Sequence, residues 1–162
     1  MQFSTILAAI DLEDDLAEGV VRAAHSLAQK DGANLLVVSV WPAVSAVTPT
    51  FSAEVAASSA VLSQSVIEQH RKGREDSVQS ITALAEKLAP GAKAVVLDGE
   101  PAEAVTEYAN ETHADLIVTG SHQRKFWNTL FQGSASRELV QEAPCAVFLV
   151  TKAFAAKLAG RQ

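Results

Sequence analysis

The 162-residue chain predicts a doubly wound α/β fold, a three-layer arrangement with helices on both faces of a five-stranded parallel sheet. Two observations carry that expectation. Short apolar runs alternate along the chain with longer segments of helical period, the pattern of strands joined by helical crossovers. Length is the second, since 162 residues suit one domain and bury roughly 70% of the unfolded surface without a staple. Composition agrees, because 48% hydrophobic and 20% charged residues are ordinary globular usage and exclude a disordered chain.

Residues 3–10 (FSTILAAI) read as the first strand, which ends at Asp11. Asp14 or Asp15 then opens a helix through Lys30, with Leu16, Val20, Ala23, Ala24 and Leu27 on one face. Asp31-Gly32 closes it, glycine being suited to a left-handed C-cap. Residues 35–41 (LLVVSVW) form the second strand, and the two prolines in 42–51 make a loop. A long helical segment follows over 52–89, with Gly73 as its interior glycine. Its polar stretch 68–76 should face solvent, and Val78, Ile81, Leu84, Ala85 and Leu88 should form a buried stripe. Pro90-Gly91 stops it.

Residues 93–97 make the third strand and Asp98-Gly99 a turn. Pro101 suits the first position of the next helix, whose apolar face is Ala102, Val105, Tyr108 and Ala109. Residues 115–120 (DLIVTG) are the fourth strand, 121–132 irregular, 134–142 a short helix and 144–150 the fifth strand. The expected organisation is one domain over 1–152 and a C-terminal tail over 153–162, too short to assign, with a frayed helix as one option.

A net charge of −6 argues against nucleic acid, which demands a basic face. It leaves room for a small anion held at one helix terminus. Cys145 is the sole cysteine, so a disulfide within the chain and a cysteine zinc site are excluded, and its apolar run predicts a buried, inert thiol. The start of the chain lacks a basic segment, and no run approaches the ~18 apolar residues of a membrane helix; the expected compartment is the cytoplasm.

Parallel sheets of this kind bind ligands beyond the carboxyl ends of their strands. Functional residues should therefore follow strands, at Asp11, Val40, Trp41, Asp98 and Gly120 onward. The stretch 119–136 (TGSHQRKFWNTLFQGSAS) is the richest of these. Gly120 permits close approach of a ligand. Gly133, Ser134, Ala135 and Ser136 open a helix, whose free N–H groups and dipole make an anion site. His122, Arg124 and Lys125 add potential positive charge. The same serines could simply cap the helix. No Walker A motif and no G-x-G-x-x-G after the first strand is present, and no nucleophile–base pair is evident.

These residues resemble the universal stress protein family. Gly120 and Gly133-Ser134 stand at the spacing of the glycine motif that follows the fourth strand in its ATP-binding members. ILAAID, GEPAEAVTEYANETHADLIVTGSH and APCAVFLV resemble the family's first strand, third-helix block and last strand, so the resemblance spans nearly the whole chain. It implies the adenine nucleotide alpha hydrolase-like, Rossmann-like fold, with strand order 3-2-1-4-5 and a cleft between strands one and four. It implies a cofactor-binding set of Ala9, Ile10, Asp11, Val40, Gly120, Ser121, His122, Gln123, Gly133, Ser134, Ala135 and Ser136. Within that set, Asp11 and Val40 would border adenine and ribose, and the glycine-serine turn would hold phosphates.

The implied ligand is ATP or AMP, with Mg²⁺ accompanying a triphosphate, and the implied role is stress sensing with at most slow hydrolysis. A homodimer through the last strand is also implied. Gln123 departs from the motif, standing where ATP binders carry glycine. HQRKFW resembles the branch that binds no nucleotide and acts through protein contacts. A third reading, a phosphoacceptor receiver domain, would gather Asp11, Glu13, Asp14, Asp98, Thr119 and Lys152.

Overall fold

The structure, a computed structural model, describes residues 2–42, 53–121 and 143–160. In chain order these form β1 (Thr5–Ala9), α1 (Ala17–Asp31), β2 (Asn34–Trp41), α2 (Ala53–Leu88), β3 (Lys93–Asp98), α3 (Pro101–Glu111), β4 (Leu116–Gly120), β5 (Ala146–Val150) and α4 (Lys152–Ala159). The strands make one five-stranded sheet, ordered β3-β2-β1-β4-β5. Every pairing is parallel. No helix among the described residues is long and apolar enough to cross a membrane.

Alternation along β1 builds a core on each face. Ile6, Ala8 and Ile10 pack with Val20, Val21 and Ala24 of α1 and Ile81 and Ala85 of α2. Leu7 and Ala9 pack with Val38, Ile117 and the α3 residues Val105 and Ala109. The sheet is thus covered on both sides, as its uninterrupted apolar strands require.

Helix α1 starts later than the sequence suggests. Asp14 Oδ1 accepts a 2.7 Å hydrogen bond from the Leu16 N–H. Backbone turns also run from Asp14 N to Asp11 O and from Ala17 N to Asp14 O. The carboxylates thereby fold 11–16 into turns, a local competition that holds off the helix until Ala17. Gly32, at φ 70°, closes the helix as expected and donates to Ala28 O. Pro101 sits in the first turn of α3 after an extended Glu100.

Two corrections concern side-chain placement. Val78 is 39% exposed, not part of the buried stripe of α2. Ser77 is buried instead, because that turn faces the end of β2 and not the middle of the sheet. Asp115 precedes β4 and does not belong to it. Its Oδ2 accepts from the N–H groups of Ser4 (2.7 Å) and Thr5 (3.0 Å), fastening the entrance of β1 to that of β4.

The C-terminal segment is a capped, docked helix and not a frayed tail. Thr151 Oγ1 accepts from the Phe154 N–H at 3.2 Å, and the Phe154 and Phe148 rings meet edge to face at 5.8 Å. Lys152 Nζ pairs with Asp15 at 3.0 Å, though both groups are exposed and such pairs contribute little. Gly19 of α1 lies against this helix, where an added Cβ would stand 2.6 Å from Ala155 Cβ and 3.5 Å from Ala155 Cα. Neither atom can rotate away, so this glycine sets the spacing of α1 and α4.

Glycine to alanine inside a helix normally gains about 1 kcal/mol. Gly19→Ala is expected to do the reverse here, lowering the melting temperature and accelerating hydrogen exchange in α4. In a chain ending at Thr151 the same substitution should regain its usual stabilising sign. The backbone donors of Thr5 and Ser4 hold the Asp115 carboxyl below the usual carboxylate range. A depressed carboxylate contributes stability above its unfolded pKa of about 3.9 and loses it as pH falls through the folded value. Asp115→Asn should therefore lose less melting temperature than wild type between about pH 6 and about pH 3.

Candidate functional site

The order of the strands fixes where a ligand can sit. Ala9, at the end of β1, lies opposite Val38 of β2 on one side and Thr119 of β4 on the other. Chain order runs outward in both directions from β1, so the carboxyl edge opens beside it. One further bond, Ile10 N to Val38 O at 2.9 Å, carries β1 to its last apolar residue. Asp11 then leaves the sheet. Its Oδ1 accepts from the Glu13 N–H at 3.0 Å, which fixes the carboxylate at the start of the turn.

Of the expected set, Ala9, Ile10, Asp11, Val40, Gly120 and Ser121 are described, and Asp11 and Val40 share one hollow. Ala9 and Ile10 are 1% and 0% exposed, with side chains in opposite cores, so only their backbone could meet a ligand. Asp11 and Val40 both line a hollow of about 400 Å³ at the carboxyl edge. Gly120 ends β4 opposite Val150, and the Ser121 N–H donates to Val150 O at 2.9 Å. His122, Gln123, Gly133, Ser134, Ala135 and Ser136 lie outside the described residues.

The rest of the hollow comes from β2 and α2. Trp41, the last residue of β2, lies against Gly73, where an added Cβ would stand 2.7 Å from the indole ring. A glycine inside a helix costs about 1 kcal/mol relative to alanine; here it admits an aromatic wall. His70 meets the same indole edge to face at 5.4 Å, and its Nε2 lies 2.7 Å from Pro42 O. The Trp41 Nε1–H is sealed from solvent with no hydrogen-bond partner among the described residues. Arg74 donates to both Asp98 oxygens at 2.8 Å, joining α2 to the end of β3. Those hydrogen bonds hold the Asp98 carboxyl below, and the Arg74 guanidinium above, their usual ranges.

Sequence reasoning placed Trp41 and Asp98 after strands but missed their partners on α2. The available signal was Gly73, an interior glycine in an otherwise glycine-free helical segment. A larger hollow, about 750 Å³, lies among His25, Gln29, Asn34 and Lys93. It occupies the opposite end of the sheet, where strands of this architecture do not present ligands.

The receiver reading fails on topology. Its phosphoacceptor would be Asp98, but β3 and β5 form opposite edges of the sheet, and both Asp98 oxygens are engaged by Arg74. Lys152 pairs with Asp15. Among the described residues no group of three or more His, Cys, Asp or Glu side chains could hold a metal ion. Cys145 is half-buried, and burial, reinforced by Asp115, pushes its thiol pKa up, which suits an unreactive residue.

The family model for the universal stress protein family matches residues 2–151. The chain belongs to that family. A universal stress protein of Thermus aquaticus, encoded 3′ of a sulfhydrylase, is 36% identical over 150 residues, covering 91% of this chain and 98% of its own. Universal stress protein UspA from Lactobacillus plantarum superposes with a TM-score of 0.64 at 26% identity, over 93% of this chain and 99% of that one. A universal stress protein from Archaeoglobus fulgidus, solved in complex with dAMP, has a TM-score of 0.53 at 21% identity, over 92% and 98% of the two chains.

Proposed function

We propose that this universal stress protein binds an adenine nucleotide, ATP or AMP, at the carboxyl edge beside β1 and acts as a cytoplasmic stress-response sensor. The observation that carries the reading is the hollow of about 400 Å³ bordered by Asp11 and Val40. The dAMP complex of the Archaeoglobus relative supports the ligand class. In this reading Asp11 and the end of β2 take the adenosine moiety. Gly120, Ser121, His122, Gln123 and the 133–136 turn take the phosphates, with Mg²⁺ accompanying a triphosphate. Bound nucleotide favours one conformational or assembly state, which partner proteins read. Gln123 favours a second reading, a homodimer that binds no nucleotide and works through protein contacts.

Thermal unfolding separates the two. Ligand at about 100 times its Kd stabilises by about 2.7 kcal/mol, or about 5–10 °C for a domain of this size. Millimolar ATP with Mg²⁺, or AMP, should raise the melting temperature by that order, and Gly133→Val should abolish the rise. No shift with either nucleotide would leave the non-binding reading. The dimer is proposed through β5, an edge strand that carries Leu149 at 43% exposure. Light scattering should show a dimer, and Leu149→Lys should shift it towards monomer.

A further inference from the structure

Among the described residues, Ser39 and Ser77 are the two buried polar residues in the wall of the hollow lined by Trp41. Ser39 is 5% exposed and alternates along β2 with Val37 and Trp41, so it faces α2. Ser77 is 9% exposed on the inner side of α2, where helical period would favour an aliphatic residue. Neither hydroxyl bonds a described residue, and neither is sealed from solvent as Trp41 Nε1 is. Both therefore open into the hollow.

A helical serine commonly donates to the carbonyl four residues earlier, as Thr82 does to Val78 O at 2.7 Å. Ser77 makes no such bond, which leaves its hydroxyl free for a ligand. Among the described residues, the lining adds the carboxylates of Asp11 and Asp76 and contains neither lysine nor arginine. Such a wall repels phosphate and favours groups that donate hydrogen bonds, while Trp41 and Val40 supply flat apolar surface.

We propose that Ser39 and Ser77 are specificity-determining residues that accept hydrogen bonds from the exocyclic amino group of a bound aminopurine. This rests on the nucleotide reading above and names the atoms that would read the base. A site built around such a donor discriminates against an analogue lacking it, because its polar groups are then left unpaired.

The test compares AMP with the 5′-monophosphate of unsubstituted purine riboside by titration calorimetry on the full chain. Wild type should bind AMP about tenfold or more tighter. Ser39→Ala and Ser77→Ala, singly and together, should weaken AMP and leave the analogue unchanged, closing the gap. Because the readout is a ratio on one preparation, partial unfolding does not mimic the effect. Equal binding of both ligands by wild type, or an undiminished ratio in the double variant, would overturn the assignment while leaving the nucleotide reading intact. Binding of neither ligand by wild type would overturn both.

Discussion

Everything in this fold follows from burying β1 on both faces. Ile6, Leu7, Ala8, Ala9 and Ile10 are at most 1% exposed, and at about 25 cal/mol per Å² such burial is the main term opposing chain entropy. A strand with no exposed face can present chemistry only at its ends. Its amino end is tied to β4 by the Asp115 carboxylate. Its carboxyl end must therefore carry the first polar side chain, Asp11, out of the sheet. The same burial forces α1 and α3 onto opposite faces, which makes β1 the strand from which the order diverges.

Helix α2 meets this constraint in two different ways along its length. Towards its end, Ile81, Ala85 and Leu88 enter the α1-side core. One to three turns earlier the helix passes the end of β2, and an aliphatic stripe is no longer what the neighbouring surface asks for. There Gly73 admits the indole, Ser77 replaces the expected apolar residue, and Arg74 reaches Asp98. The Arg74–Asp98 pair is exposed enough to contribute little to stability; its geometric effect is to hold α2 against the end of β3.

Most of the architecture was legible because it depends on period and punctuation. Gly32, Pro90-Gly91 and Pro101 mark boundaries that the structure confirms to within a residue or two. The strand order was legible only through the family resemblance, since nothing in the apolar runs says which strand neighbours which. Val78 and Ser77 could not be sorted from sequence, because an apolar stripe is inferred as though the helix lay on a uniform surface. Asp14 was misread as a helix start because its carboxylate caps a turn before α1 as well as it would cap α1. Of the residues lining the hollow, Asp11, Val40 and Trp41 were expected from their place at strand ends. The Trp41–His70–Gly73 cluster was not, being assembled by a contact between elements about thirty residues apart.

The proposed nucleotide reading assigns the two chemical halves of the ligand to different stretches of sequence. The hollow is built by the ends of β1 and β2 and by α2, and its charged side chains are mainly carboxylates. The cationic and phosphate-suited residues, His122, Arg124, Lys125 and the 133–136 turn, all follow β4. Gln123 belongs wholly to the second stretch. In that reading, the loss of glycine's conformational freedom there bears on how phosphates would be held. If the nucleotide proposal holds, affinity for the adenosine moiety and affinity for the phosphate chain would change independently, and the departure at Gln123 would weigh more against a long phosphate chain than against a monophosphate.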